Sequence, residues 1–572
     1  MNVLEPLYEA CISRMHDFVA EDDERSGRKY PQFRGVLDEI RNHTNLRYYI
    51  YKSIILNNLY GVDIMNEAVE IAKLRLFLKL MAEVEHIDDV EPMPDIDYNI
   101  RVGNTLVGFA TYRDVEKAVT SSLDFGGDSE QIREEAEKVG MAFKRFKDAQ
   151  LIEDQGTSRF RQAKSELRQK LATLNDKLNV YLARQYGIDH PAQDKKTYQS
   201  WKSSHQPFHW FAEFYEIVYE NGGFDAVIGN PPYVVYTKKN RETKKSIAEI
   251  YQLRNYRTLS SNNLYAFLFE RAMQIARSPS GIGFIIPISS ISSGKFEQLQ
   301  NIFHQELVVW YSSYSNRPAK LFGDVEQRLC IIISQIRKEK KTAIFSTSYK
   351  HWYSETRNYL FETLNYTANE KIANEISLSK IGNCLEYSIK IKLFSKERKL
   401  GAYCSQSQIN SICYHDGPTY WIRAMSFEPN NGKDMQQSSH YHSLSFDKSL
   451  KHTPSSILNS SIFYFFFKNY SNCRDFSERE IFSFPVGEFD ESTLNKLTLL
   501  EKALEGNYKT NRERRSRNYE SGLVYYEEYY PQKCKPIIDE IDKVLAKHYG
   551  FTEEELDFII NYDIKYRMGK EL

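Results

Sequence analysis

The tetrapeptide Asn230-Pro231-Pro232-Tyr233 directly follows the apolar run Phe-Asp-Ala-Val-Ile-Gly at residues 224–229. Composition alone produces such a tetrapeptide in roughly one chain of this size in a few hundred, so a plain rigid turn explains it poorly. Its parts suit one task. The Asn230 side-chain oxygen and the Pro231 main-chain carbonyl are acceptors, and the prolines restrict φ and the preceding residue, which fixes where that carbonyl points. Two such acceptors can take both N–H bonds of an amine whose lone pair is delocalised into a ring, as in the exocyclic amine of adenine. They would stabilise the charge that develops on nitrogen as it attacks a methyl group. Tyr233 offers a flat face to a base that has left its stack. No covalent nucleophile is needed.

Elements must position this loop. Residues 224–229, 281–288 and 329–336 read as short strands, the first of them buried, and 263–276 as a helix. Such alternation predicts a doubly wound α/β sheet, in which ligands sit beyond the carboxyl ends of strands. Earlier, Leu59 to Val62 reads as a buried strand ending at Asp63, and Ala68, Ile71, Ala72, Leu74 and Leu78 then follow helical spacing. A carboxylate at a strand's end can accept two ribose hydroxyls; a helix cap is the plainer alternative. Residues 127–187 are highly charged, with a break near Gly156, and predict two long helices forming a protruding hairpin, with a solvated spacer as the bland reading. Past residue 340 the alternation fades into aromatic, Ser- and Asn-rich sequence with strand-like pieces such as Ser-Ile-Phe-Tyr-Phe-Phe-Phe-Lys-Asn-Tyr (461–470). The end predicts two short helices, the second opened by Thr552 and Glu555 as a capping box.

At 572 residues the chain is long enough for several domains. With 41% hydrophobic and 27% charged residues it falls among ordinary globular proteins. Forty Tyr and 33 Phe leave aromatic platforms to spare for unstacked bases. A net charge of −1 excludes a basic nucleic-acid coat, so affinity for phosphate has to come from local patches. The seven cysteines (Cys11, Cys330, Cys384, Cys404, Cys413, Cys473, Cys534) form no CxxC pair and have no nearby His at ligand spacing. They predict reduced, mostly buried thiols and no metal site. The first residues lack a signal peptide, and no stretch reaches about 18 apolar residues, so a cytoplasmic location is expected.

The Asn-Pro-Pro-Tyr motif after such a strand resembles the catalytic motif of DNA methyltransferases that act on amino groups. The surrounding sequence resembles the large bacterial type IIG restriction-modification and phage-defence methyltransferases, over essentially the whole chain. The resemblance implies an α/β, Rossmann-like core that uses S-adenosyl-L-methionine as cofactor and double-stranded DNA as partner, and methylates adenine N6 at a defined site. Cytosine N4 is the near alternative. By the same resemblance Asn230, Pro231, Pro232 and Tyr233 are catalytic, Asp63 holds the cofactor ribose, and Ile64 beside it is cofactor-binding. Asn104, in Asn-Ile-Arg-Val-Gly-Asn, contacts the cofactor adenine where many relatives have Asp, unless it only makes a Gly-Asn turn. Tyr265 lies near the cofactor, Pro287 ends a strand, and Phe322 stacks on the target base unless it is ordinary core. The basic run at 237–245 (Lys238, Lys239, Arg241, Lys244, Lys245) serves phosphate contact or is a solvated turn.

One departure is clear. The Gly-rich loop that receives the methionine end of the cofactor in that family, and the strand before it, are not found; the only Gly-x-Gly is Gly281 to Gly283, which opens a strand. No nuclease pattern is found either. The expected layout is a first core part at 1–110, a helical insertion at 111–222, the catalytic part at 223–340, a target-recognition domain at 341–495 and a C-terminal helical segment at 496–572. His415, Tyr420, Trp421, Arg423, Asn430, Asn431, Gln436, Gln437, His440 and His442 are its candidate base readers. The rivals are a non-catalytic DNA-specificity protein or inactive fragment, and one subunit of a split enzyme whose missing half-pocket comes from an upstream polypeptide.

Overall fold

The strand expected before Asp63 forms, but it is short: β1 (Gly61–Asp63) pairs in parallel with β2 (Ile100–Val102), Gly61 opposite Ile100 and Asp63 opposite Val102. This is a computed structural model, and it describes all residues except 25–28, 44, 85, 87–93, 122–127, 153–157, 340, 406–409, 419, 430–438, 520–521 and 570–572. The chain divides into two units, residues 1–224, 236–255 and 271–277 in one and 225–235, 256–270 and 278–572 in the other.

In the first unit the helix Asn66–Met81 follows β1, and its buried residues are Val69 and Leu80. The apolar residues Ile71, Leu74 and Leu78 are instead 54–57% exposed. Helical spacing identified the helix correctly, but not which side of it is covered. Asn99 is buried, and its amide donates to the carbonyls of Leu56 at 3.0 Å and Leu59 at 3.2 Å, which clamps the turn before β1 against the start of β2.

The two long helices are present as Asp128–Ile152 and Ser158–Arg184. They do not protrude freely. Phe146 packs edge-on against Tyr98, 5.2 Å between ring centres, and Lys164 pairs with Asp95 and Asp97 just before β2. Ala136, Val139 and Ala142 are buried, as are Leu167, Leu171, Leu174 and Leu178. The charge pattern hid this seam because charged residues outnumber it on the other faces.

Six strands, in the second unit except for residues 224, 276 and 277, form one sheet in the order β3-β4-β6-β5-β7-β8: β3 (Phe224–Gly229), β4 (Ala276–Pro287), β5 (Val308–Tyr314), β6 (Leu329–Ile336), β7 (Ala343–Ser346) and β8 (Thr367–Ala368). The sheet is mixed rather than doubly wound throughout: β6 runs antiparallel to both β4 and β5, and β5 is parallel to β7. Sequence alternation locates strands and carries no information on their direction. β3 also corrects an expectation. It is an edge strand, largely exposed, with Ile228 87% exposed. An apolar run reads the same whether or not a neighbour lies beside it.

Beyond the sheet, β9 (Ser411–His415), β10 (Ala424–Met425) and β11 (Tyr441–Ser445) form a small antiparallel sheet in the order β10-β9-β11. The strand-like run at 461–470 is a helix, Ser461–Tyr470, capped by the Ser460 side chain and buried on every side. A run apolar throughout has no period from which to choose between strand and helix. It forms the centre of a core that includes Ile457, Phe484, Leu504, Ile538 and Tyr549. A buried ion pair, Lys390 to Glu375 at 2.9 Å, joins the same region. The helices Glu491–Asn511, Lys535–Tyr549 and Glu553–Ile560 follow, the last with the expected Thr552–Glu555 capping box. Between the first two lies a hairpin absent from the helical reading of this segment, β12 (Glu513–Tyr519) with β13 (Gly522–Glu528). All seven cysteines are free thiols and four are buried. Among the described residues no helix is long and apolar enough to cross a membrane.

Candidate active site

Asn230 begins the loop at the carboxyl end of β3. The strand can end there because Gly229 is pressed against Phe284 of β4: a Cβ at 229 would lie 3.0 Å from the ring. Pro231 is buried, while Asn230 and Pro232 are exposed. Tyr233 is half-buried and its hydroxyl lies 3.1 Å from Asn230 Oδ1 and 3.0 Å from the Ile285 carbonyl, so one proton serves two acceptors. Burial pushes the phenol up to about 12, and it stays a neutral donor at any physiological pH.

The chain then docks onto the next element. The Val234 carbonyl accepts the Leu264 N–H at 3.1 Å, and Val235 bridges Asn263. This brings Tyr265 beside the loop, its ring edge-on to Tyr233 with centres 6.3 Å apart. Tyr265 is 2% exposed, stacks on Phe296 at 5.2 Å and hydrogen-bonds Ser289 at 3.0 Å. Phe322 lies in the β5–β6 connection and is 37% exposed. Its neighbour Leu321 belongs to the apolar cluster against which Tyr233 packs. Asn230, Tyr233 and Tyr265 are therefore brought into one site. Ile285, Ser289, Phe296 and Phe284, which hold them, escaped sequence reasoning because their partners lie 24 to 55 positions away and, for Ile285, the bond uses the main chain.

In the first unit Asp63 and Asn104 meet at the same end of the parallel pair, where the Gly103 N–H donates to the Asp63 carbonyl at 2.9 Å. Asp63 is exposed, and one carboxylate oxygen accepts the Met65 N–H at 2.8 Å, so it does close a turn; Ile64 beside it is 41% exposed. Asn104 is 4% exposed. Its Oδ1 accepts the Leu106 N–H at 3.1 Å, whereas its buried Nδ2 has no acceptor. A buried amide donor without a partner costs about 1–3 kcal/mol, and a heteroatom of a bound ring would satisfy it. An exposed carboxylate with a spare oxygen and an orphaned buried amide at the ends of adjacent strands fit a nucleoside. Gly103 and Gly108 lie so close to Phe208 that a Cβ would meet it at 2.5 and 2.2 Å, which is why the Asn104 turn needs glycines on both sides.

The basic run is a tight loop in which the Asn240 side chain caps Glu242 and Thr243, leaving Lys238, Arg241, Lys244 and Lys245 exposed. Of the candidate base readers, Trp421 is 8% exposed, bonds the Arg567 carbonyl at 3.0 Å and stacks on the Arg567 guanidinium, so it is a core residue. Asn430, Asn431, Gln436 and Gln437 lie outside the described residues. His415, Arg423, His440 and His442 do cluster: Asp416 bonds His440 at 2.8 Å and His442 at 3.2 Å, and Arg423 bonds His415 at 3.0 Å.

Comparison with known proteins finds similarity to restriction-modification methylases. Residues 57–316 match the family described as the Eco57I restriction-modification methylase. A Methanocaldococcus jannaschii protein described as a type II restriction enzyme and methyltransferase is 28% identical over 327 residues, covering 50% of this chain and 26% of that protein. The Escherichia coli type II restriction enzyme and methyltransferase RM.Eco57I is 22% identical, covering 35% of this chain and 20% of its own length. The chain thus spans about a quarter or less of these relatives. Among solved structures, the type IIL restriction-modification enzyme MmeI in complex with DNA superposes with a TM-score of 0.36 and 12% identity, covering 94% of this chain and 78% of that one.

Proposed function

We propose that this chain carries the catalytic and DNA-reading parts of an S-adenosylmethionine-dependent DNA methyltransferase that modifies adenine N6 in a restriction-modification or phage-defence system. The observation that carries the reading is Asn230, exposed at the end of β3 with its side-chain oxygen already held in a hydrogen bond by Tyr233. An incoming amine takes that oxygen and the Pro231 carbonyl as its two acceptors, and charge growing on nitrogen is stabilised by groups that need not reorganise. Tyr233 keeps its bond to Ile285, which holds its ring upright for the extruded base. Phe322 supports that base from the β5–β6 connection. S-adenosylmethionine would supply the electrophilic methyl; in the first unit Asp63 and Ile64 are read as cofactor-binding with Asn104 at the cofactor adenine, and in the second unit Tyr265, also read as a cofactor neighbour, lies beside the loop at 230–233. The core is read as Rossmann-like, the segment at 341–495 as the target-recognition domain, and duplex DNA as the partner.

Asn230→Ala tests this. Methyl transfer from radiolabelled cofactor to DNA should fall on the order of 10²–10³-fold, while DNA affinity, which comes mainly from phosphates, holds. Near-normal turnover by this variant would contradict the assignment.

A further inference from the structure

The loop at 103–109 is held mostly from outside. Asn104 closes it internally, its Oδ1 accepting from the Leu106 N–H at 3.1 Å and its carbonyl from the Val107 N–H at 3.1 Å. Further bonds go to residues far along the chain. The Asn104 N–H donates to the Gln206 carbonyl and the Phe208 N–H to the Val107 carbonyl, both at 2.8 Å. The Phe109 N–H donates to His209 Nδ1 at 3.2 Å, which leaves His209 Nε2 to donate to Asn179 Oδ1 at 3.1 Å. The Leu106 and Gly108 carbonyls converge on one nitrogen: Nη2 of Arg271, 165 and 163 positions on, donates to them at 3.3 and 3.2 Å. Arg271 belongs to the helix Leu264–Ile275 and is 6% exposed. All the residues in these bonds lie in the first unit.

Main-chain carbonyls taken out of water need donors, and a charged donor makes a bond roughly twice as strong as a neutral one. Gly108, at φ +129°, has no Cβ to limit its dihedrals, so a donor outside the loop has to fix where its carbonyl points. The same guanidinium, after burial itself, keeps His209 uncharged, and only the neutral ring offers Nδ1 to Phe109. Asn104 heads this loop, buried, with Oδ1 spent on Leu106 and Nδ2 without an acceptor. The direction of that one remaining donor follows the loop.

We propose that Arg271 is a positioning residue for cofactor binding, which holds, through the Leu106 and Gly108 carbonyls, the turn that aims the Asn104 amide. The proposal rests on the methyltransferase reading above, with Asn104 at the cofactor adenine, and adds a residue that acts on the cofactor through Asn104. A ligand contact works only when its supports keep it within about 0.5 Å of the productive geometry, and a guanidinium bridging two carbonyls of one loop is such a support.

The test uses the full chain, with S-adenosylmethionine titrated by calorimetry into the wild type, Arg271→Met, Asn104→Ala and the double variant. Arg271→Met, similar in length but without a donor, should weaken binding on the order of tenfold, and Asn104→Ala should do the same. Because one residue acts through the other, the double variant should bind about as weakly as either single variant, rather than the roughly hundredfold of independent losses. Hydrogen exchange of the ligand-free protein adds a readout that needs no cofactor. Amides at 106–109 should exchange faster in Arg271→Met while the buried helix Ser461–Tyr470 keeps its wild-type protection, a local change that general destabilisation does not produce. Arg271→Lys keeps the charge and a donor and should restore most of the affinity and the protection. Should Arg271→Met not fold, Arg271→Gln, a neutral donor, takes its place in the same cycle with an expected loss of about threefold. Additive losses, or wild-type exchange at 106–109 in the Arg271 variant, overturn the positioning role and leave the methyltransferase reading standing. A wild type that binds no S-adenosylmethionine overturns the cofactor assignment of Asn104 and the proposal with it.

Discussion

Tyr233 ties down the loop at 230–233 through its hydroxyl. Its single hydroxyl proton lies between Asn230 and the Ile285 carbonyl, so Tyr233→Phe keeps the stacking face and loses only the tether. One hydrogen bond of this kind contributes about 1 kcal/mol; turnover of Tyr233→Phe should fall by less than about tenfold, whereas Tyr233→Ala should approach the loss expected for Asn230→Ala. Equal losses in a kcat comparison would mean that the hydroxyl, not the ring, does the work. His209 behaves differently. Its Nδ1 accepts the Phe109 N–H at 3.2 Å and its Nε2 faces Asn179 Oδ1 at 3.1 Å, which requires the neutral ring. Burial, helped by nearby Arg271 and Lys202, pushes its pKa down to about 3, against about 6.5 in an unfolded chain. Between those values the unfolded state binds the extra proton. The stabilisation is fully present above about pH 6.5 and is lost as pH falls toward about 3. Melting temperatures measured from about pH 7 to 4 should drop less steeply for His209→Gln than for the wild type.

At the scale of elements, two helices of similar apolar content have opposite fates. Ser461–Tyr470 is buried on every side, and Phe465 within it is 0% exposed. Phe465→Ala should cost about 3–5 kcal/mol through the lost contacts and the cavity left behind. Leu74, on the exposed side of Asn66–Met81, is 54% exposed, and Leu74→Ala should change stability by less than about 1 kcal/mol. Urea denaturation of the two variants checks the contrast. Comparable losses would show that the Leu74 side of its helix is covered in solution.

At the scale of the molecule, the proposed function gives cofactor, target base and target sequence to different stretches of chain. A loop that sees one adenine cannot read a longer site; discrimination needs several side chains at base edges, each good pair contributing about 1–3 kcal/mol. The cluster of His415, Asp416, Arg423, His440 and His442 on the small sheet of β9 to β11 supplies such groups. Replacing residues 341–495 with the counterpart from a related enzyme should move methylation to the donor's motif while the modified atom stays adenine N6. Long-read sequencing of methylated DNA that still returned the original motif would refute the assignment.

The motif at 230–233, its strand and the helices at 264–275 and 553–560 were legible in the sequence because local rules define them: a rigid Pro-Pro step, periodic apolar residues, a capping box. These sufficed to place the chain near the restriction-modification methylases. The partners that orient the chemistry were not legible. Ile285 reaches Tyr233 through its carbonyl and Phe296 stacks on Tyr265 across 31 positions, and neither main-chain acceptors nor long-range ring contacts leave a trace in residue type. Burial and strand direction were likewise decided in three dimensions: β3 and the apolar side of Asn66–Met81 lie open, the run at 461–470 coils into a helix, and β6 runs against its neighbours. A side chain's hydrophobicity states what burial would gain, and only the tertiary structure determines which surfaces are there to bury it.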